Sequence, residues 1–81
     1  MNKEEILKKL QSLITGKLGC NVEAVRSESN LSKDLGADSL DRVSIIIAVE
    51  QKFGIQITDD EADKLETVQD FVELIEKKQS A

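Results

Sequence analysis

Ser39 is the residue whose type and setting most directly suggest chemistry. It stands in "LGADSLDRV", between Asp38 and Leu40, where an irregular stretch gives way to a periodic apolar one. A serine hydroxyl becomes a nucleophile on its own only when a neighbouring base takes its proton, most often a histidine. The chain contains no histidine, and no lysine is placed by the sequence as an obvious base. Ser39 is therefore not self-activated. Two readings of its position remain. In the plainer one, Asp-Ser is simply a helix start, because aspartate is a good N-cap. In the other, the first position of a helix offers unpaired N–H groups and the positive end of the macrodipole, a setting suited to a phosphate ester. Gly36 and Ala37 leave the preceding loop uncluttered, so that a second enzyme could reach the hydroxyl.

Other chemistry is sparse. Cys20 is the only cysteine, so no internal disulfide is possible, and without histidine it cannot build a structural zinc site. It reads as a small apolar residue in or near the core. Asp34, Asp38 and Asp41 lie close in sequence, but their spacing matches no calcium loop, and no metal is expected. The formal charge of −5 is uneven: +2 over residues 1–33, −6 over 34–66 and −1 over 67–81. An acidic middle disfavours nucleic acid or an anionic membrane as partner and favours proteins with a basic patch. A merely solubilising surface accounts for the charge equally well.

The elements that must position Ser39 follow from caps and periodicity. Asn2 with Glu5 fits a capping box, and Ile6, Leu10, Leu13, Ile14 and Leu18 recur at helical spacing. A first helix is predicted over about 3–15, ended by Gly16 and Gly19. A long loop, 16–38, follows, with Val22, Val25, Leu31 and Leu35 as apolar pins. Asp38 caps a second helix over 39–53, with Asp41 at its third position and Gly54 as its stop. Its apolar residues Leu40, Val43, Ile45, Ile46, Ile47, Val49 and Phe53 cover more than half of its circumference, which predicts a helix central to the fold. Ile55 and Ile57 read as loop anchors rather than a strand. Asp59 caps a short third helix to Leu65, and Thr67 with Asp70 opens a fourth over 68–78. The expected fold is an all-α four-helix bundle, with three longer helices and a short one, in a single domain spanning 1–81.

Eighty-one residues make a small domain, which buries only about 60% of the surface its unfolded chain exposes. Phe53 and Phe71 are its only aromatics, so the core is aliphatic and a deep enzymatic cleft is not expected. The longest apolar run, Ile45 to Val49, is far short of the roughly 20 residues that span a bilayer. The charged amphipathic start lacks the layout of a signal peptide, and a cytoplasmic location is expected.

The stretch "LGADSLDRVSIIIAVEQKFGIQITDDEADKLETVQDFVELI" resembles the acyl carrier proteins of fatty-acid and polyketide synthesis. The Asp-Ser-Leu triplet alone would be weak, but "AVEQKFGIQI", "DDEAD" and "TVQDF" follow it at the family's spacing. The resemblance implies that Ser39, flanked by Asp38 and Leu40, is esterified by 4'-phosphopantetheine, transferred from coenzyme A by a separate phosphopantetheinyl transferase. The prosthetic thiol would carry acyl groups as thioesters, and the chain itself would catalyse nothing. It also implies an acyl pocket among the last three helices, matched here by Ile46, Val49, Ile57, Ala62, Leu65 and Val68. Each of those six is equally readable as ordinary core. Partner docking through basic patches would fall on Asp34, Asp38, Asp41, Glu50 and Glu61. The expected partners are acyltransferases, ketosynthases, reductases and dehydratases, acting on a monomer.

Two positions depart from the family's pattern. Ser44 stands where many members carry glutamate, and Arg42 where a small polar residue is usual. Both lie beside Ser39 and make its surroundings less acidic, which bears on partner choice. A carrier in fatty-acid biosynthesis is the leading expectation. A specialised carrier for a polyketide, lipid-modifying or aminoacyl pathway is the alternative. A helical interaction module, in which Ser39 does no more than help start a helix, is the rival from another class.

Overall fold

The computed structural model describes residues 2–80. It contains four α-helices: α1, Lys3–Leu18; α2, Ser39–Phe53; α3, Asp59–Asp63; and α4, Val68–Ser80. No β-strand occurs among the described residues, and one isolated antiparallel bridge joins Asn30 to Thr67. The architecture is the all-α one expected, with a short third helix and a long connection between the first two.

Asn2 starts α1 by accepting the Glu5 N–H on its side-chain oxygen at 2.9 Å. The helix runs through Gly16, nearly a turn beyond the expected end. One interior glycine costs a helix only about 1 kcal/mol, and Leu13 and Leu18 pack against the core on either side of it. The stop is Gly19, whose φ of 69° lies in the left-handed region and whose N–H donates to the Thr15 carbonyl at 2.8 Å. Glycine enters that conformation without a Cβ clash.

The core is built from three stripes. Ile6, Leu10 and Ile14 of α1 lie four residues apart and are fully buried; they meet Ile45, Val49 and Phe53 of α2 and Val68, Phe71, Val72 and Ile75 of α4. Accordingly α1 packs against both α2 and α4. Cys20, Ile55 and Ile57 are half-buried against the same cluster. Both ends of the α3 segment differ from the expectation: the helix is capped by Thr58, not Asp59, and stops at Asp63. The Thr58 hydroxyl accepts the Glu61 N–H, and the Glu61 carboxylate accepts the Thr58 N–H, a reciprocal pair that an Asp59 cap facing Ala62 could not form. Leu65 leaves the helix and turns its side chain into the core.

Between α1 and α2 the chain is a tied loop. Val25 and Leu31 are fully buried and Leu35 half-buried, whereas Val22 is exposed at the start of a short 3₁₀ turn and pins nothing. The Leu31 N–H donates to the Glu66 carbonyl at 3.0 Å, the Val68 N–H to the Ser29 carbonyl at 3.0 Å and the Gln69 N–H to the Ser27 carbonyl at 2.7 Å. The last two satisfy donors that a helix start leaves unpaired. Thr67 and Asp70 complete that start reciprocally, at 3.2 and 3.0 Å. The radius of gyration, 11.3 Å, is close to the ~12 Å of a compact chain of this length, so the loop lies against the helices.

Ser29 is the one buried polar residue of the described chain. Its hydroxyl donates to the Ala24 carbonyl and accepts the Arg26 N–H, both at 2.9 Å. Ser29→Ala is expected to lower stability by about 1–2 kcal/mol in urea unfolding, since it removes a partner from two backbone groups. Ser27→Ala should change it by less than about 0.5 kcal/mol, because the Ser27 hydroxyl only meets the exposed Glu28 carboxylate.

Candidate functional site

The approach to Ser39 is fixed residue by residue. Leu35 and Ala37 turn into the core on either side of Gly36, and the Ala37 N–H donates to the Leu31 carbonyl at 2.8 Å. Gly36 itself has φ +72°, a conformation that a side-chain-bearing residue would resist. Asp38 then caps α2: its Oδ1 accepts the Asp41 N–H at 2.8 Å, while Asp41 Oδ2 accepts the Asp38 N–H at 3.2 Å. Ser39 is the first helical residue and is exposed. Among the described residues its hydroxyl has no hydrogen-bond partner. The cap is thus Asp38, and the serine beside it takes no part in capping.

A strip of exposed apolar residues begins at Leu40. Leu40 is 79% exposed, Val43 54% and Ile47 49%, at spacings of three and four that put them on one face of α2. The broad apolar arc of this helix is therefore split: Ile45, Val49 and Phe53 are buried, Ile46 is half-buried, and the remainder faces solvent. The arc's width was the available signal, since a helix packed on one side cannot bury more than half of its circumference.

The acidic residues differ in what they do. Asp34 and Asp38 are exposed and Asp41 half-buried at the approach to α2. Asp34 also accepts the Asn30 N–H at 2.7 Å and so braces the loop. Farther along, the Glu50 carboxylate accepts the Ile57 N–H at 2.8 Å, and Glu61 pairs with Lys78 at 2.8 Å. Ser44 is half-buried beside the apolar strip. Arg42 is turned across the fold: its Nη2 donates to the Leu65 carbonyl at 2.6 Å and, more weakly, to the Ala62 carbonyl at 3.4 Å. Among the described residues no group of acidic and cysteine side chains is placed to hold a metal ion.

Five of the six residues matched to an acyl pocket lie together. Val49, Leu65 and Val68 belong to the buried cluster, and Ile46 and Ile57 pack against it; Ala62 is half-buried on α3 and not part of that cluster. An open groove of about 370 Å³ lies between α3 and α4, lined by residues that include Glu61, Lys64, Leu65, Leu74 and Lys77. Leu65 is the side chain common to both.

Residues 8–75 match the family described as the phosphopantetheine attachment site. The chain is similar to an acyl carrier protein of Thermosynechococcus vestitus, 44% identical over 81 residues that cover the whole of both chains. An acyl carrier protein of Cyanidium caldarium is 47% identical over 75 residues, 93% of this chain and 87% of that one. One from Guillardia theta is 41% identical over the full length of both.

The Glu61–Lys78 pair gives the geometry around α3 a pH signature. Lys78, and after it the Thr58 N–H, hold the Glu61 carboxyl down from 4.5 to about 2. A carboxyl whose folded value lies below its unfolded one adds stability above the unfolded value and loses it as pH falls through the folded one. Glutamine keeps the reciprocal cap with Thr58 but not the charge. The urea midpoints of the wild type and Glu61→Gln should therefore differ modestly at neutral pH, the pair being partly exposed. They should converge as pH falls from 4.5 toward 2. A gap that persists unchanged through that window contradicts the assignment.

Proposed function

The chain belongs to the acyl carrier protein family, whose members bear covalent 4'-phosphopantetheine, and we propose that Ser39 bears it here and that the protein carries acyl intermediates in fatty-acid biosynthesis. The observation that supports this most is the division of roles at the start of α2. Asp38 and Asp41 complete the helix end between themselves, and the exposed Ser39 hydroxyl is left without a duty in the fold.

The residues around Ser39 fit the group. A phosphodiester on the first residue of α2 would sit at the positive end of that helix, where backbone N–H groups face it. When bound, the group supplies a thiol on a flexible arm, which holds acyl chains as thioesters. Asp38 and Asp41 are committed to backbone N–H groups, so the base that takes the Ser39 proton belongs to the modifying enzyme, a phosphopantetheinyl transferase. Asp34, Asp38 and Asp41 offer negative charge to its basic surface, and Leu40, Val43 and Ile47 offer apolar area beside the hydroxyl. Acyltransferases, ketosynthases, reductases and dehydratases would meet the same face, steered by the same charges.

Tethering makes the thiol concentrated for any enzyme that holds the body, without a catalytic residue in this chain. For cargo, Ile46, Val49, Ile57, Ala62, Leu65 and Val68 offer sheltered apolar area, and α3, which buries no residue of its own, is the helix that could give way to it. Each methylene sheltered there would contribute about 0.8 kcal/mol.

Incubation with coenzyme A, magnesium and a broad-specificity phosphopantetheinyl transferase should add one phosphopantetheine, read as intact mass. Ser39→Ala should block the addition while its far-ultraviolet circular dichroism stays helical. Modification of the alanine variant, or none of the wild type, would overturn the assignment.

A further inference from the structure

The short helix α3 is held in an unusual way. None of its residues, Asp59–Asp63, is buried, so the apolar packing that fixes α1 against α2 and α4 has no counterpart on it. Its ties are polar. Glu50 of α2 accepts the Ile57 N–H just before α3, and Lys78 of α4 pairs with Glu61 in its first turn. At the other end stands Arg42. Its guanidinium reaches from α2 to the Leu65 carbonyl at 2.6 Å and the Ala62 carbonyl at 3.4 Å, groups 23 and 20 residues away in sequence.

The Ala62 carbonyl, in the last turn of α3, also accepts the Leu65 N–H at 3.1 Å, and the Leu65 carbonyl lies just past the helix end; both stand near the negative end of its dipole. A cationic donor there is stronger than a neutral one. Among the described residues no other side chain ties the 62–65 segment to α2 by a hydrogen bond. Arg42 therefore closes α3 at its C-terminal end, as Glu50 does at its N-terminal approach.

We propose that Arg42 is a latch that fixes the end of α3 against α2 and so sets the length of acyl chain the bundle accepts. This rests on the carrier reading for the cargo but not for the latch. The longer a chain entering between Ile46 and Val49 on one side and Ala62 and Leu65 on the other, the further it must part the two segments that Arg42 joins. Interiors are packed too densely to admit it otherwise. The packed stripes of α1, α2 and α4 resist displacement, whereas α3 yields once its polar ties are broken. Short chains that fit with the Arg42–Leu65 contact intact would be held; longer ones would have to break it and are disfavoured. Arg42 is thus a positioning residue for cargo, acting through the backbone of α3.

The test uses Arg42→Ala, which removes the latch and favours helix, and Arg42→Lys, which keeps the charge and a single donating group. In the unmodified protein, native-state hydrogen exchange at the Lys64 and Leu65 amides, bonded to Glu61 and Ala62, should rise on the order of ten- to a hundredfold in Arg42→Ala. It should rise less in Arg42→Lys, and amides in the middle of α1 and α4 should not change. Equal exchange in wild type and Arg42→Ala overturns the latch, whatever the protein carries. Each protein is then loaded with acyl chains from butanoyl to hexadecanoyl, and the gain in Tm over the phosphopantetheinyl form is recorded. In the wild type the gain should level off at a shorter chain than in Arg42→Ala, with Arg42→Lys between them. Faster exchange with the same levelling point in all three overturns the control of chain length. Failure to load phosphopantetheine at all would instead strike the carrier reading, leaving the exchange result to decide the latch.

Discussion

The position of Ser39 depends on backbone hydrogen bonds made far from it in sequence, between the long loop and the start of α4. The Leu31 N–H to the Glu66 carbonyl and the Val68 N–H to the Ser29 carbonyl fasten the loop to a helix that is itself locked into the core by Phe71, Val72 and Ile75. Loops of this length without regular structure are usually functional or disordered. This one is ordered because its own donors and those of α4 satisfy each other. Leu31 passes the constraint to Ala37 through a backbone bond, Ala37 leads into the Asp38 cap, and the cap sets the first turn of α2.

That series of constraints ends at a residue that gives nothing back to it. Ser29, Asn30, Asp34, Asp38 and Asp41 all use their side chains on backbone groups, while the Ser39 hydroxyl is exposed. The same division appears along α2. One side supplies Ile45, Val49 and Phe53 to the core, and another shows Leu40, Val43 and Ile47 to solvent next to the serine. The arrangement leaves the hydroxyl fixed in place, free of any role in the fold and beside an exposed apolar face.

Much of this could be read from the chain, and the exceptions have physical reasons. The bounds of α2 follow from Asp38, Asp41 and Gly54, because capping residues act locally. The end of α1 is set by a backbone conformation at Gly19, which no spacing rule separates from Gly16. The cap of α3 was readable: Thr58 finds a glutamate three residues on, where Asp59 finds an alanine. The exposed face of α2 was legible only in the width of its apolar arc, and not residue by residue, because apolar periodicity marks what can be buried, not what is. Arg42 lay beyond any local reading, since its guanidinium meets carbonyls more than a helix away in sequence. The charge that departs from the family's pattern beside Ser39 is turned toward the backbone of Ala62 and Leu65.

The fold holds Ser39 in place without relying on it. Urea unfolding of Ser39→Ala and Asp38→Ala, measured side by side on the unmodified protein, tests this most directly. Ser39→Ala should stay within about 0.5 kcal/mol of the wild type, as surface substitutions do. Asp38→Ala should lose about 1 kcal/mol with its cap. A loss in Ser39→Ala as large as that in Asp38→Ala would make the serine part of the helix start and contradict the claim.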